Sequence, residues 1–275
     1  MSEKGKTSAT HQKRANILKS SPSSYRCNEM TETANLYETF IAGLVSGDEP
    51  QYPALIAAQT GPKIQTPGER REAWLRQRLG KFTASEFHRL MANGELSVGL
   101  KTYATEKAVE LLTDPVVDDY TSPAMQWGLD HEAEAIAAFT THTGFAVESH
   151  SHNQQFLTLG DSIGGTPDGF VKGPDPSGIE VKCPASKTHL EYFRIVGAST
   201  LYEIAPQYYW QCQGLMLITG YKYWNFVSYD PRFKDPRLRL HCAIIQSQQT
   251  DLELLASRLG KAIDYRNVIL SALAD

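Results

Sequence analysis

The sequence predicts an α/β (α+β) fold in which helices flank a central mixed β-sheet. Two stretches rich in aromatic and β-branched residues, 221–229 and 238–246, have the composition of strands, and a turn with two prolines separates them. A second pair of short strands lies on either side of the turn sequence G-P-D-P-S-G. Stretches with helical periodicity precede and follow both pairs. This order of elements favours one mixed sheet covered by helices.

The helical patterns begin and end at recognisable signals. Gly80 ends the first pattern, and Thr83-Ala-Ser-Glu86 has the form of a capping box for the second. Pro206 begins a later helix that Gly220 ends. The predicted helices cover residues 71–80, 83–91, 100–112, 125–143, 186–196, 206–218 and 252–270. The predicted strands cover residues 145–156, 170–171, 179–182, 221–229 and 238–246.

Composition divides the chain into three parts. Residues 1–29 are polar and aperiodic and predict a disordered tail, and residues 30–68 predict an N-terminal helix followed by a proline-rich linker. The helix, at 31–46, has an apolar face that either docks on its own chain or recruits another protein. Residues 69–275 form the main domain. No apolar run reaches the length of a membrane span and no signal peptide is evident, so we expect a cytoplasmic protein.

Charge is unevenly distributed along the chain. The net charge of −4 argues against a protein that coats nucleic acid non-specifically. Residues 63–89 nevertheless contain seven Lys or Arg against three acids, whereas residues 101–139 contain two against eight. A basic region beside an acidic one fits a phosphate-handling surface next to a cation site. The four cysteines have no C-x-x-C spacing, so neither a zinc site nor a disulfide framework is indicated.

Chemistry-bearing residues cluster in the hairpin at 164–184. Asp168 precedes the first strand, and Glu180 and Lys182 share one face of the second because strand side chains alternate. Two acids and a lysine on one face either bind a cation and do chemistry or form a solvated surface pair. The spacing alone leaves both interpretations open.

Two further clusters are also open to two interpretations. Arg78 and the hydroxyls of Thr83 and Ser85 gather at a predicted helix N-terminus, which either binds an anion or is simply capped. His150 and His152 fall on one face of a predicted strand, where they either form a ligand pair or face solvent.

Six stretches in order carry a resemblance to a known family. The hairpin matches the D…(D/E)-x-K pattern of a large nuclease superfamily, and within it the chain resembles the lambda exonuclease (YqaJ-type) phage recombination nucleases. The resemblance runs from about residue 71 to the last helix, roughly three quarters of the chain, and implies a restriction-endonuclease-like nuclease core. The stretches are A-W-L-R-Q-R-L-G-K-F-T-A-S-E, W-G-L-D-H-E, T-P-D-G, I-E-V-K-C-P, Y-Y-W-Q-C-Q and Y-D-P-R.

The resemblance implies roles for individual residues. Asp168, Glu180 and the carbonyl of Val181 would hold Mg²⁺, with Glu132 completing a second metal position and Mn²⁺ able to substitute. Lys182 would hold or deprotonate the attacking water. The supporting positions are a site glutamine at Gln211, a 5′-phosphate pocket at Arg78, Thr83 and Ser85, and at Met125 a wedge that opens the duplex end. The alternative for Met125 is core packing, and His131 stands where the family commonly has a tyrosine.

The resemblance also implies an activity and partners. It predicts a Mg²⁺-dependent 5′→3′ exonuclease that degrades one strand of linear double-stranded DNA from 5′-phosphorylated ends, leaving 3′ overhangs for recombination. Residues 69–275 are then the exonuclease domain. A homotrimeric ring, a single-strand annealing protein as partner and a phage or prophage protein in the bacterial cytosol are further expectations. The alternatives are an endonuclease with the same core and a catalytically inactive DNA-end-binding module.

Overall fold

The computed structural model describes residues 67–274 except 93, 95 and 115–120. The tail predicted at 1–29 and the helix predicted at 31–46 lie outside the described residues, so both stay predictions.

Helices and strands alternate irregularly along the described chain, as an α/β fold with mixed connections requires. The α-helices are α1 (Pro67–Arg78), α2 (Val98–Leu112), α3 (Pro123–Thr143), α4 (Ser186–Tyr192), α5 (Ala198–Ile204), α6 (Pro206–Thr219) and α7 (Gln249–Ala274). The strands are β1 (Phe82–Thr83), β2 (Ala146–Glu148), β3 (Leu157–Leu159), β4 (Ile163–Gly165), β5 (Gly169–Lys172), β6 (Ser177–Lys182), β7 (Tyr223–Tyr229) and β8 (Leu240–Gln246). Short 3₁₀ helices cover Ala84–Met91, Ser151–Asn153 and Pro236–Leu238.

The strands form two sheets. The larger has the order β2-β5-β6-β7-β8, in which β6 and β7 pair in parallel and the other neighbours are antiparallel. The smaller has the order β1-β4-β3. The larger sheet confirms the predicted mixed sheet, and both predicted hairpins, β5–β6 and β7–β8, are present. Strand β6 is central, so Glu180 and Lys182 lie in the middle of the sheet, and Asp168 directly precedes the neighbouring strand β5.

Helix α6 forms much of the core. Its residues from Tyr209 to Thr219 are all buried, because the helix is covered by the sheets on one side and by other helices on the other. Gly214 permits the close approach of the Ala84–Met91 helix, since a Cβ there would lie 2.3 Å from the Phe87 ring. Gly220 ends α6 in the left-handed conformation, with φ of 72°, as predicted. Among the described helices, none combines the length and apolar character of a membrane span.

Two local predictions are wrong, and one helix is missing from the prediction. The strand predicted at 145–156 is interrupted after Glu148, because Ser149 and Ser151 take positive φ values of 54° and 56° and turn the chain. His150 and His152 therefore do not share a strand face; His150 bonds to the Ser151 hydroxyl and His152 lies in a 3₁₀ turn. Helix α5 was not predicted.

The predicted capping box at Thr83 is also absent. The Thr83 side chain makes no capping hydrogen bond, and the helix that follows is 3₁₀. Thr83 is buried instead, with its N–H donating to the Tyr103 hydroxyl at 2.9 Å and its Oγ1 3.4 Å from the same oxygen. A tertiary hydrogen bond has therefore replaced the local one that the sequence pattern suggested.

Candidate active site

The start of the β5–β6 hairpin fixes Asp168. The Asp168 N–H donates to the Ile179 carbonyl at 3.2 Å, and its Oδ2 accepts from the Val181 N–H at 2.7 Å. The carboxylate is thus held against the edge of β6. Because the N–H and carbonyl of a strand residue leave on the same edge, the Val181 carbonyl also lies on the Asp168 side.

Glu180 and Lys182 lie on the same face of β6 and are paired. Lys182 Nζ donates to Glu180 Oε1, and the same Nζ lies 4.6 Å from the centroid of the Tyr208 ring on α6. Only 1% of Glu180 is exposed, because β5 and β7 pair with both edges of β6 and α6 covers this face. The interpretation of this hairpin as a solvated surface pair is therefore wrong.

Glu132 joins these residues from helix α3. Gln154 Nε2 donates to Glu132 Oε1 at 2.9 Å and lies 3.4 Å from Asp168 Oδ1, so the amide bridges the two acids. The backbone N–H of Ser151, a residue with a positive φ, favours the ionised form of Glu132. Sequence reasoning missed Gln154, since a glutamine in a loop carries no distinguishing pattern.

The three acids have raised pKa values. Burial, and then the charge of Asp168, raise the pKa of Glu132 to about 7 and that of Glu180 to about 8. Burial also raises the pKa of Asp168, against the attraction of Lys182. Although burial opposes the ammonium, the carboxylates of Glu180 and Asp168 raise the pKa of Lys182 above its usual value. When the three acids are ionised, the site holds more negative charge than one lysine balances, which is the electrostatic condition for a cation site.

The donor set fits a divalent metal ion. Glu180 Oε2 is buried and has no hydrogen-bond partner among the described residues, so one hard oxygen ligand is unused. Within the same residues, no three His, Cys, Asp or Glu side chains already form a metal-holding group. One oxygen of Glu180 accepts a hydrogen bond from Lys182, and the Gln154 amide lies between the carboxylates of Glu132 and Asp168. Coordination at Glu180 and Asp168 would therefore require small side-chain shifts.

Helix α6 provides the wall opposite β6. Tyr208 lies beneath the Lys182 ammonium, and Gln211, three residues further on, follows it on the same helical face. Gln211 is buried. The structure thus puts the predicted supporting glutamine on the face of α6 that carries Tyr208.

A basic pocket adjoins the acidic site. Arg78, at the end of α1, donates to Thr166 Oγ1 at 2.9 Å, and its guanidinium lies over the rings of Trp74 and Phe156 at 4.1 and 5.2 Å. Thr166 is two residues before Asp168, so Arg78 reaches the loop that carries the first acid. Burial lowers the pKa of Arg78 to about 10, and no carboxylate bonds to it within the described residues.

The two hydroxyls predicted to share this pocket differ. Thr83 is buried and turned to Tyr103, so its hydroxyl is engaged, whereas Ser85 is half-buried. Thr166 is the hydroxyl that contacts Arg78, and sequence reasoning missed it although it stands within the T-P-D-G stretch.

Met125 lies at the surface near the start of α3. It is 58% exposed, and Leu129, one turn later, is 64% exposed. Core packing of Met125 is therefore wrong. Two large apolar side chains on one exposed helix face are a surface suited to stacking against an apolar partner.

Comparison with known proteins gives both a family match and structural matches. The model of a family described as the YqaJ-like viral recombinase domain matches residues 73–222. The crystal structure of an alkaline exonuclease, LHK-Exo, from Laribacter hongkongensis is 26% identical, covers 74% of this chain and 96% of that chain, and has a TM-score of 0.61. A structure of LHK-Exo in complex with dAMP is 27% identical, with coverage of 74% and 95% and a TM-score of 0.61.

A more distant structure shares the fold. A phage related exonuclease from Haemophilus somnus 129PT is 17% identical, covers 70% of this chain and 96% of that chain, and has a TM-score of 0.56. No curated protein sequence matches the chain.

Proposed function

The chain belongs to the family of the YqaJ-like viral recombinase domain, and we propose that it is a recombination exonuclease. In this proposal it degrades one strand of linear double-stranded DNA in the 5′→3′ direction from a 5′-phosphorylated end and leaves a 3′ overhang. The similarity to an alkaline exonuclease, one structure of which holds dAMP, supports a nuclease that acts on DNA.

The buried cluster of Asp168, Glu180, Lys182 and Glu132 is the observation that carries this proposal. A binding module has no need of an unpaired carboxylate oxygen in the middle of a sheet, because an unsatisfied buried polar atom destabilises the fold. Metal-dependent hydrolysis of a phosphodiester uses such an oxygen as a ligand. Divalent metal, Mg²⁺ with Mn²⁺ as a substitute, would when bound supply Lewis-acid stabilisation of the phosphate and of the leaving oxygen.

The chain's own residues divide the remaining work. Asp168, held by the Val181 N–H, and Glu180 would hold one metal ion with the Val181 carbonyl, and Glu132 would hold the second. Lys182, beside these carboxylates, would hold or deprotonate the attacking water. Tyr208 lies against the Lys182 ammonium, and buried Gln211, on the same face of α6, would support the site from that side.

The Arg78 pocket supports a preference for DNA ends. Among the described residues Arg78 has no carboxylate partner, and Thr166 holds it next to the acidic site, so it is available to a phosphate monoester. Thr166 takes the place of the predicted Thr83 in the pocket, and Ser85 remains a second donor. Met125, exposed with Leu129, would separate the last base pairs so that one strand reaches the metals.

The assembly and partners of the enzyme are further parts of the proposal. A homotrimeric ring would let duplex DNA enter and one strand leave. A single-strand annealing protein would then bind the 3′ overhang in the cytosol of a bacterial host.

One assay tests the activity. Linear duplex DNA with 5′-phosphates and covalently closed circular duplex are incubated with the protein, with Mg²⁺ and with EDTA. We expect Mg²⁺-dependent degradation of the linear DNA and an intact circle. Labels at the 5′ end and at the 3′ end of a strand identify the direction of degradation. Degradation in the 5′→3′ direction releases the 5′ label first and leaves the 3′ label in place at the start of the reaction.

The other outcomes identify the competing functions. Nicking or linearisation of the circle would identify an endonuclease with the same core. Retention of linear DNA in a mobility shift without degradation in any divalent metal would identify a DNA-end-binding module. Either result would refute the proposed exonuclease.

A further inference from the structure

Two of the six stretches contain residues to which the proposed function gives no role. Trp127 and His131 belong to W-G-L-D-H-E, and Arg232 belongs to Y-D-P-R. The structure brings them together: Arg232 Cζ lies 4.3 Å from the centroid of the Trp127 ring, and His131 stacks on the same indole with a centroid distance of 3.7 Å. A stacked column of guanidinium, indole and imidazole therefore links α3 to the loop after β7.

Arg232 is immobilised by hydrogen bonds as well as by the stack. Its Nε donates to Asp230 Oδ1 at 2.7 Å, and its Nη2 donates to Asp230 Oδ2 and to the Pro184 carbonyl, both at 3.0 Å. Asp230 is fully buried, so it holds the fork in a fixed plane. Among the described residues nothing accepts from Nη1, and 45% of the Arg232 side chain is exposed. The guanidinium thus presents a pre-oriented free donor to solvent.

Trp127 serves as a platform in this arrangement. Its Nε1 is buried and has no hydrogen-bond partner in the described part of the chain. If the hydrogen-bond donor were the reason for a tryptophan at this position, the N–H would have an acceptor. The indole offers the strongest aromatic face for a cation, and that face is what Arg232 uses.

The column lies beside the proposed catalytic residues. Pro184, which Arg232 contacts, is two residues beyond Lys182, and His131 is the residue before Glu132. Strands β6 and β7 pair in register with Lys182 opposite Ser228, so the loop after β7 leaves the sheet at the Lys182 end. A phosphodiester in the active site has neighbouring phosphates within reach of this end of the sheet.

The loop has a positive charge although the chain is acidic. The sequence D-P-R-F-K-D-P-R-L-R at 230–239 contains four basic residues and two acids, in a chain of net charge −4. A local excess of two positive charges next to the acidic cluster favours a polyanion that approaches the site.

We propose that Arg232, oriented by Trp127 and Asp230, binds a backbone phosphate of the DNA strand adjacent to the scissile phosphodiester. Arginine suits this role because its planar fork binds phosphate oxygens directionally, and immobilisation in advance reduces the entropy lost on binding. The subsite is separate from the Arg78 pocket and rests on the proposed function, since it requires DNA in the active site.

The chain contains a matched control for Arg232. The second D-P-R has the same local geometry: the Arg237 N–H donates to Asp235 Oδ1 at 3.0 Å, and Arg237 Nη2 donates to Asp235 Oδ2 at 2.7 Å. Arg237, however, is 88% exposed and stacks on no ring in the described structure. Arg232→Gln and Arg237→Gln therefore remove the same charge from the same turn, and only the first removes it from the column.

Binding is measured by fluorescence anisotropy with a short blunt duplex in EDTA, so that no cleavage occurs, over a series of NaCl concentrations. We expect Arg232→Gln to weaken binding at least about tenfold. We also expect it to reduce the slope of log K against log salt by about 0.9, the value for one phosphate contact. Arg237→Gln should leave affinity and slope within about twofold of the unmodified protein.

Three results would overturn the subsite. An equal loss of slope in both variants would indicate diffuse charge, and an unchanged slope in a folded Arg232→Gln variant would leave Arg232 only a structural contact.

If Arg232→Gln does not fold, Trp127→Phe takes its place, because phenylalanine keeps most of the packing and weakens the cation–π contact. We expect Trp127→Phe to bind about threefold more weakly at an unchanged melting temperature; unaltered binding would refute the subsite. Failure of the unmodified protein to bind or degrade linear DNA would instead refute the proposed function.

Discussion

Glu180 is the residue whose environment most directly suggests chemistry. It is almost completely buried, one oxygen contacts Lys182 and the other has no partner in the described structure. Its neighbours Asp168 and Glu132 also have raised pKa values. In the metal-free protein these carboxyl groups oppose folding whenever they are ionised, so metal binding and stability should be linked.

This linkage has a predictable sign. Glu132 and Glu180, at about 7 and about 8, have pKa values above the ordinary 4.5, so the folded state binds their protons more tightly than the unfolded state. Stability of the metal-free protein is therefore lost as pH rises from about 4.5 to about 8. The buried His189, whose pKa burial lowers, acts in the opposite direction. The informative quantity is consequently the difference in the free energy of unfolding between the unmodified protein and Glu180→Gln.

We expect the free energy of unfolding of Glu180→Gln, relative to that of the unmodified metal-free protein, to rise with pH, by on the order of a few kcal/mol between about pH 5 and about pH 8. Mg²⁺ should raise the melting temperature of the unmodified protein more at about pH 8 than at about pH 5, because only ionised carboxylates bind it. Scanning calorimetry with EDTA and with Mg²⁺ measures both. A difference between the two proteins that stays constant from about pH 5 to about pH 8 would refute the linkage between stability and the ionisation of Glu180.

Lys182 allows a separate test of catalysis. Lys182→Ala should retain DNA-end binding and lose cleavage by at least about 10²-fold, because the attacking water loses its orienting group. Lys172→Ala is the matched control, since Lys172 is an exposed lysine on the neighbouring strand and pairs with Glu148. Single-turnover cleavage and anisotropy measure the two properties. Cleavage by Lys182→Ala at the rate of the control would refute the assignment of Lys182 as the residue that orients the attacking water.

At the scale of elements, helix α1 determines where the Arg78 guanidinium lies. Gly80, with φ of 70°, turns the chain after α1, and its N–H is bonded to the Glu110 carboxylate at 2.9 Å. The buried Arg266 of α7 donates to the Gly80 carbonyl at 2.6 Å. The end of α1 is thus held by α2 and α7, and Arg78 is held in turn.

This placement predicts end discrimination. Arg78→Ala should abolish the preference for 5′-phosphate over 5′-hydroxyl ends, because the buried cation that binds the monoester is removed. Arg76→Ala on the same helix is the control, since Arg76 is exposed and pairs with Glu72. Competition between the two kinds of end in one reaction measures the preference. If Arg78→Ala keeps it, the 5′-phosphate is bound elsewhere.

The contact between β6 and β7 also depends on a glycine. A Cβ at Gly178 would lie 2.2 Å from the Trp224 ring, and Trp224 is fully buried. Gly178→Ala should therefore destabilise the protein by about 1–3 kcal/mol through overpacking. Gly260→Ala in α7 is the control, because no atom of the described residues would lie within 4 Å of a Cβ there and alanine favours a helix over glycine by about 1 kcal/mol. Urea unfolding measures both variants; a Gly178→Ala variant of unchanged stability would contradict this packing.

At the scale of the whole molecule, the proposed ring requires more than one chain. The chain has a mass of 30.6 kDa, and a homotrimer has three times this mass. We expect light scattering after gel filtration to give the trimer mass at working concentrations. A monomer that still degrades linear DNA would remove the threaded ring while leaving the active site as described.

Short-range patterns in the amino-acid sequence were enough to predict several elements of the fold. Strand alternation put Glu180 and Lys182 on one face, the G-P-D-P-S-G turn predicted the β5–β6 hairpin, and Gly220 predicted the end of α6. These features depend on residues close together in the chain, where periodicity and turn chemistry act. They were therefore predictable, and the six ordered stretches predicted the family.

The distant residues that contact these elements became evident from the folded chain alone. Arg78 bonds to Thr166 across 88 positions, Gln154 bridges two acids from different elements, and Arg232 stacks on Trp127. The predicted helix cap at Thr83 is absent for the same reason, since Thr83 bonds to the Tyr103 hydroxyl instead. Such contacts depend on how helices pack on a sheet, and no local pattern encodes that packing. The acid–acid–lysine cluster was thus predictable, whereas its burial, its glutamine bridge and its guanidinium neighbours were not.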